Sequence, residues 1–394
     1  MNVYVRELAR ELGRAGLEVD VFTRRTDPAD PAVVEMAPRV KLVRVEAGDV
    51  APMDKNAVLA HLPQFVAGVE RYRRESAREY DVVHSHYWLS AWTGTRLARR
   101  WGVPHLTMFH TLGEVKNRCG APGRESDERI EVERRAVAEV DRIVAASEDE
   151  RRHLVDLYGA DPERVSIVPC GVNTQLFRPV PKAEARARLG LNGQRVALFV
   201  GRMDPLKGLD LLLEATHQLR EELPDLRLLV VGGDASPESE EGRVRDLARE
   251  LGLAERVRFV GAVPQSELVD YYSAADVCVV PSYYESFGLV AVEALACGTP
   301  VIASRVGGLP GVVKHGQNGL LVNNRTPEDF AAGIAKLYRH ERRRAALAER
   351  ARASVAPLVW EAVAQRIRGI YQLLLGPGQR QSARCLPVGA CPGS

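Results

Sequence analysis

Glu285 and Glu293, separated by seven residues, flank Gly288 in an otherwise apolar stretch. A lone carboxylate in an apolar helix is costly unless a polar group answers it, so Glu293 requires a partner. Residues 276–280 (DVCVV) are short, β-branched and bounded by Pro281, and read as a buried strand ending just before Glu285. Residues 289–297 are apolar on every side except Glu293, too long and too alanine-rich for a strand, and read as a buried helix stopped at Gly298-Thr299-Pro300. Residues 301–303 read as the next strand, followed by the turn Val306-Gly307-Gly308, which makes a βαβ unit of a parallel sheet. Glu293 alone reads equally well as a partly exposed glutamate bonded to a neighbouring loop; Glu285 shifts the balance. It lies at the carboxyl end of a strand, where open α/β sheets bind ligands, and the amides of Ser286, Phe287 and Gly288 open a helix whose positive end suits a phosphate. Two carboxylates for hydroxyls and a helix amino terminus for an anion match the polar groups of a nucleotide-sugar.

Other candidate residues also collect where strands end. The apolar run 195–200 leads into Gly201-Arg202-Met203-Asp204-Pro205-Leu206-Lys207-Gly208, and two cations with glycines at a strand-to-helix turn suit a diphosphate. That stretch is not a P-loop, because the Walker glycine and Ser/Thr spacing is missing. The strand 81–85 ends in His84-Ser85-His86-Tyr87-Trp88, and the strand 104–109 ends at His110-Thr111. A single His84 or His86 is more often a hydrogen-bonded core histidine than a catalyst, and no carboxylate or cysteine accompanies the pair at metal-ligand spacing. His110, beside the hydroxyl of Thr111, is the stronger candidate. Lys55 and Arg129 by themselves read as surface charge.

The segments ESFGLVAVE, ACGTPVIAS and VGGLP, together with the GR…KG turn, resemble the donor-site signature of retaining glycosyltransferases of family 4, which have the GT-B fold. HSHYWLS, FHTL and VKN resemble the acceptor loops of the subgroup that glucosaminylates an inositol phosphate on the way to mycothiol. The resemblance covers residues 1–375 and implies an α/β chain of two Rossmann-like domains facing across a cleft. It implies that Arg202 and Lys207 hold the diphosphate, Glu285 the donor sugar and Glu293 the ribose, with Ser286, Phe287, Gly288 and Leu289 completing the donor site. It places the acceptor phosphate at Lys55, Thr111 and Arg129, with Asn2 and Tyr87 lining the same pocket, and His110 near the anomeric carbon. The implied catalytic group is His110, Arg202, Lys207 and Glu285, with UDP-GlcNAc as donor. Front-side transfer, with the departing phosphate taking the acceptor proton, requires neither a metal nor another cofactor.

The elements that position these residues fall into four parts: an acceptor-binding domain over 1–180, a nucleotide-sugar-binding domain over 181–355, a helix over 356–375 that in the family crosses back to the first domain, and a tail over 376–394. The tail is Gly/Pro-rich without periodicity, so disorder is expected there. Residues 1–14 have helical spacing and lead to a strand over 17–23, so the chain begins inside a helix and the first strand of the doubly wound sheet is absent. That strand is usually central, and its absence would leave neighbouring edges unpaired, which motivates a second reading as a truncated, inactive relative. A sucrose-phosphate-synthase-like transferase, with a different sugar-phosphate acceptor, is a third. A UDP-sugar 2-epimerase would need acid and base carboxylates in the first domain that the sequence does not offer.

A chain of 394 residues with 45% hydrophobic and 27% charged residues is ordinary for a two-domain globular protein. The net charge of +2 and dispersed basic residues give no footprint for nucleic acid. The basic run Arg71, Arg73, Arg74 and Arg78 reads as a solvated helix face, so membrane contact is not expected. Neither a membrane-length apolar run nor a signal peptide is evident, which points to the cytoplasm. The six cysteines show no disulfide framework or metal-ligand pairing. The expected partners are therefore a small-molecule donor and acceptor, and a homodimer is compatible with the sequence.

Overall fold

The computed structural model describes residues 1–120, 123–191, 193–233 and 240–376, together with the backbone of Arg384–Gly389. The chain divides into two units, one built from Met1–Arg118, Gly123–Gly171 and the segment from Trp360, the other from Val172–Val359. The crossing at Gly171 precedes the boundary expected at 180, and the return at Trp360 follows the one expected at 355. The reason is local: the Val172 amide donates to the Leu358 carbonyl at 2.7 Å, which ties both ends of the second unit together.

In the first unit the strands are β1 (Glu18–Arg24), β2 (Val33–Ala37), β3 (Val40–Val45), β4 (Val82–His86), β5 (His105–Met108), β6 (Arg142–Ala145) and β7 (Val165–Ile167). The second unit supplies β8 (Arg195–Val200), β9 (Leu226–Val231), β10 (Val257–Gly261), β11 (Val277–Val280), β12 (Val301–Ser304) and β13 (Gly319–Val322), and β14 (Arg384–Gly389) belongs to the first unit. The first sheet runs in the order β2-β3-β1-β14-β4-β5-β6-β7. All its pairs are parallel except β2 with β3.

The central position in this sheet corrects two expectations. Disorder was expected throughout the tail, and unpaired edges on either side of the absent first strand. Instead β14 lies between β1 and β4, with Cys385 opposite Val19 on one side and Val82 on the other. Two facing strand edges present rows of unpaired N–H and C=O groups, and an extended segment that satisfies both is strongly favoured. The remaining tail, 377–383 and 390–394, lies outside the described residues. The helix Asn2–Arg14 buries Tyr4, Val5, Leu8, Ala9 and Leu12. The helix Trp360–Leu375 packs beside it, with the Tyr4 and Trp360 rings edge-on at 5.2 Å.

The second unit has the strand order β10-β9-β8-β11-β12-β13, all parallel. This is the doubly wound 3-2-1-4-5-6 arrangement, whose order reverses between β8 and β11. Its core joins Leu212 and Leu213 to Leu228, Val230, Ile302 and Phe330. No helix among the described residues is long and apolar enough to cross a membrane.

Candidate active site

The loops that leave β8 and β11 meet at the switch point of the second sheet. After β8, Asp204 caps the short turn Pro205–Lys207 by accepting from the Leu206 amide at 3.0 Å. After β11, the Tyr283 amide donates to the Leu206 carbonyl at 2.8 Å, locking the two loops together. Gly208 makes the approach possible, because its φ is +67° and a Cβ there would lie 2.2 Å from the Pro281 carbonyl oxygen. Gly307 is constrained likewise: a Cβ would sit 1.7 Å from the Glu285 carbonyl oxygen.

This packing brings Lys207 and Glu285 into an ion pair, Nζ to Oε2 2.7 Å. The helix Leu289–Ala296 starts directly after Gly288, which takes a left-handed φ of 104° and leaves the first turn without a side-chain cap. Phe287 is buried, and the Glu285 carbonyl accepts from Gly308 at 3.0 Å, so the backbone from Glu285 to Leu289 is fixed from both sides. Arg202 stands apart with 76% of its side chain exposed, its ion pair to Asp204 a loose 3.6 Å.

Glu293 has the polar partners that its apolar helix demands. Tyr272 donates its hydroxyl to Oε2 at 2.8 Å, and the Gln265 amide reaches Oε1 at 3.5 Å. Burial pushes its carboxyl up to about 7 despite those two donors. Glu293 is thus joined to Tyr272 and Gln265, while Lys207 and Glu285 are joined to each other. Tyr272 and Gln265 escaped the sequence reading, since nothing in their spacing ties them to the helix.

In the first unit, the ends of β4 and β5 carry a second constellation. Tyr87 adopts φ 83° and ψ 158°, and His110 adopts φ 63°. Such backbone costs of order 1–3 kcal/mol for a non-glycine residue and persists where its surroundings enforce it, commonly at functional sites. Arg129, on the helix Asp127–Glu139, is wholly buried, and every nitrogen of its guanidinium is engaged. Nε donates to Glu133 at 2.7 Å, Nη2 to the Thr111 carbonyl and hydroxyl at 3.0 and 3.1 Å, and Nη1 to the Tyr87 hydroxyl at 3.3 Å. Nη1 also lies 3.0 Å from Glu125 Oε2. Burial opposes the charge of Arg129, but Glu133, Tyr87 and Glu125 outweigh it and raise its pKa above the usual arginine value. Arg129 and Lys55 are therefore not plain surface charge.

Glu125 is the centre of this group. Lys55 donates to both of its oxygens, at 2.9 and 2.7 Å, and Lys116 to Oε1 at 2.5 Å. Asn117 holds the Glu125 backbone from both directions, accepting from its amide at 2.7 Å and donating to its carbonyl at 3.2 Å. Burial favours the neutral acid, yet hydrogen bonds from Lys116 and Lys55 and the charge of Arg129 bring Glu125 down to about 2. Lys55 and Arg129 are thus brought together on Glu125, and Thr111 and Tyr87 on Arg129. Asn2 is exposed at the start of its helix. The sequence reading missed Glu125 and Glu133; their spacing of four residues on either side of Arg129 was a usable signal.

Three histidines lie together with tilted rings, His84 and His86 buried and His110 partly so. His84 Nδ1 lies 2.8 Å from the Tyr371 hydroxyl, and His86 Nδ1 lies 3.1 Å from His110 Nε2. Burial first, then neighbouring positive groups, holds His84, His86 and His110 well below the ordinary histidine range. His105, between the Ser85 and Thr95 hydroxyls, is lowered by burial to about 3. Among the described residues, no cluster of three or more His, Cys, Asp or Glu is arranged for a metal ion.

In comparison with known proteins, each half of the chain matches a glycosyltransferase family. The signature described as Glycosyltransferase Family 4 matches residues 1–176, and Glycosyl transferases group 1 matches 181–354. A D-inositol 3-phosphate glycosyltransferase of Thermobispora bispora is 44% identical over 401 residues, covering 99% of this chain and 92% of the relative. The chain belongs to the GT-B glycosyltransferases of family 4. This family-4 glycosyltransferase is also 44% identical to the D-inositol 3-phosphate glycosyltransferase of Acidothermus cellulolyticus, over 94% of this chain and 85% of that one. Among solved structures, sucrose-phosphate synthase from Thermosynechococcus elongatus superposes with a TM-score of 0.87 at 38% identity, covering 95% and 93% of the two chains. An Anabaena HepE structure with UDP, at 19% identity and a TM-score of 0.72, shares the fold.

Proposed function

We propose that this glycosyltransferase moves a sugar, GlcNAc, from a UDP-sugar to a phosphorylated polyol, inositol phosphate, with retention of the anomeric configuration and without a metal or other cofactor. The observation that carries the acceptor assignment is the convergence of Lys55, Lys116 and Arg129 on one anionic position, held by Glu125, with the Thr111 hydroxyl bound to Arg129 Nη2 beside it. Planar and point cations beside a hydroxyl suit a phosphate, and the relatives bearing the inositol phosphate name share the chain over nearly its full length. On the donor side, Lys207 and Arg202 act on the diphosphate, Glu285 on the sugar hydroxyls and Glu293 on the ribose, with the amides from Ser286 to Leu289 facing the phosphate. In front-side transfer the leaving phosphate oxygen takes the proton of the attacking hydroxyl while Lys207, Arg202 and the helix amino terminus stabilise the charge that grows on it. His110 is neutral in this scheme and orients the sugar near its anomeric carbon. Asn2 and Tyr87 line the acceptor pocket, and the reaction takes place in the cytoplasm.

The test is a panel of nucleotide-sugars assayed with inositol phosphate and with inositol. A charge-assisted hydrogen bond contributes roughly 1.5–3 kcal/mol, so kcat/KM should fall by about 10- to 100-fold for each phosphate contact that inositol lacks. Equal use of both acceptors would refute the phosphate site. The likeness to sucrose-phosphate synthase supports a second reading, in which a sugar phosphate replaces inositol phosphate; including one in the panel separates the two.

A further inference from the structure

The anion position in the first unit is already filled. Glu125 Oε1 receives Lys55 and Lys116, and Oε2 receives Lys55 and faces Arg129, so both oxygens are saturated. Arg129 has no idle nitrogen, because Glu133, Tyr87 and Thr111 take the rest of its guanidinium. An incoming phosphate cannot simply add to this cluster. It must take the contacts of one of the present acceptors.

Charge selects which acceptor leaves. Lys55, Lys116 and Arg129 carry three positive charges, and Glu125 and Glu133 two negative ones, which leaves one positive charge. A phosphate ester of about −2 added to the intact cluster would make it net negative, whereas exchange for Glu125 would leave it neutral. Glu133 is the poorer candidate to move. It is wholly buried and also accepts from the Tyr158 hydroxyl at 2.5 Å and the Gly113 amide at 2.9 Å, inside regular structure. Glu125 is buried as well, but it precedes the helix Asp127–Glu139, its carboxylate is held, among the described residues, only by the three cations, and its backbone is fixed by Asn117 through two hydrogen bonds that do not involve its side chain. Its carboxylate can swing away while its backbone stays.

We infer that Glu125 is a built-in stand-in for the acceptor phosphate: it keeps Lys55, Lys116 and Arg129 gathered and neutralised while the acceptor site is empty, and yields them when a phosphate arrives. The inference rests on the phosphate-acceptor reading above and assigns within it a positioning and specificity role to Glu125, with Lys116 as an additional phosphate-holding cation. The stand-in has two consequences. It prevents three like charges from repelling one another in the empty site, and it sets a threshold that only a ligand with more than one negative charge passes easily.

The experiment compares the full chain with Glu125→Gln, using inorganic phosphate, inositol phosphate and inositol as probes. Thermal unfolding of the empty variant should occur at a lower temperature than wild type, because three cations lose a counter-charge. Phosphate should restore most of that loss and raise the variant's midpoint more than it raises the wild type's. By calorimetry, inositol phosphate should bind Glu125→Gln about 10-fold or more tightly than wild type, with inositol affinity unchanged. A carboxylate with a merely structural role would weaken binding when removed, so tightening is the diagnostic sign. Should Glu125→Gln not fold, Glu125→Asp, which retains the charge but retracts it by one methylene, should tighten phosphate binding to a smaller degree. Unchanged or weaker phosphate binding in the folded variant overturns the inference while leaving the phosphate site standing. If wild type and variant alike fail to distinguish inositol phosphate from inositol, the phosphate-acceptor reading falls and the stand-in role with it.

Discussion

Lys207 and Glu285, seventy-eight positions apart in sequence, meet at 2.7 Å where the loops after β8 and β11 converge. The cation proposed for the diphosphate and the carboxylate proposed for the sugar thus neutralise each other. Lys207→Ala and Arg202→Ala should each lower turnover by roughly 10²- to 10³-fold, the usual cost of removing one group that stabilises growing negative charge. The two should differ in stability. Exposed Arg202 can be lost without effect on unfolding, whereas Lys207→Ala leaves Glu285 without its counter-charge. Lys207→Ala in a Glu285→Gln background should therefore destabilise less than the sum of the single changes. Steady-state kinetics and thermal unfolding read both effects, and wild-type turnover in both single variants would remove these cations from the mechanism.

Glu293 makes the second unit sensitive to alkali. Its carboxyl is pushed up to about 7 by burial, against about 4.3 in an unfolded chain. Between those values the folded state binds more protons than the unfolded one. Its stabilising contribution is therefore complete below about pH 4.3 and lost as pH rises through about 7. Glu293→Gln, which keeps a neutral hydrogen-bonding group beside Tyr272, should be more stable than wild type above pH 7, by at most about 4 kcal/mol. Glu293→Ala should weaken UDP binding without unfolding the chain. Urea titrations at several pH values test the first expectation and calorimetry the second; equal UDP affinity in variant and wild type would exclude Glu293 from the donor site.

The first unit should fail in the opposite direction. Burial holds His84, His86 and His110 well below the ordinary histidine range and His105 at about 3. The unfolded chain takes up protons near pH 6.5 while the folded one does not, so stability is present above that value and declines as pH falls toward about 3. Unfolding midpoints in urea should drop steeply between these limits, and His105→Gln should make the decline shallower. A neutral His110 also predicts that the pH–rate profile has no limb belonging to it near 6.5. An acid limb near that value that disappears in His110→Gln would show the imidazole titrating during turnover.

Much of the scaffold was legible because buried parallel strands carry uninterrupted apolar, β-branched runs: residues 276–280 and 301–303 read as strands, and β11 and β12 are found there. Elements without that signal were missed. β2 is an exposed antiparallel edge strand, and β13 is four residues led by glycine. Site residues were legible where they follow such strands, as Glu285, Lys207 and His110 do. They were illegible where chemistry depends on a neighbour distant in sequence, as with Glu125, which Lys55 meets across seventy positions. Local pattern cannot report a carboxylate whose role is set by three cations from three separate elements.

β14 is the clearest such case, because its place is set by the facing edges of β1 and β4 and not by its own sequence. Its sequence includes Pro387, which brings no N–H to a central strand and is ordinarily confined to edges. It is held by position: β1 offers partners from Glu18 to Phe22, and β4 from Val82 to His86. Each net backbone hydrogen bond contributes about 1 kcal/mol, and a strand paired on both sides replaces two exposed edges. A chain ending at Gly376 should therefore unfold at lower urea concentration in the first unit, and its β1 and β4 amides should exchange faster with deuterium, while the amides of β8 to β13 keep their protection. Pro387→Val restores a ladder donor and should shift stability upward by about 1 kcal/mol. Unaltered exchange at β1 and β4 in the shortened chain would mean that another segment holds the central position, and β14 would lose its role in the sheet.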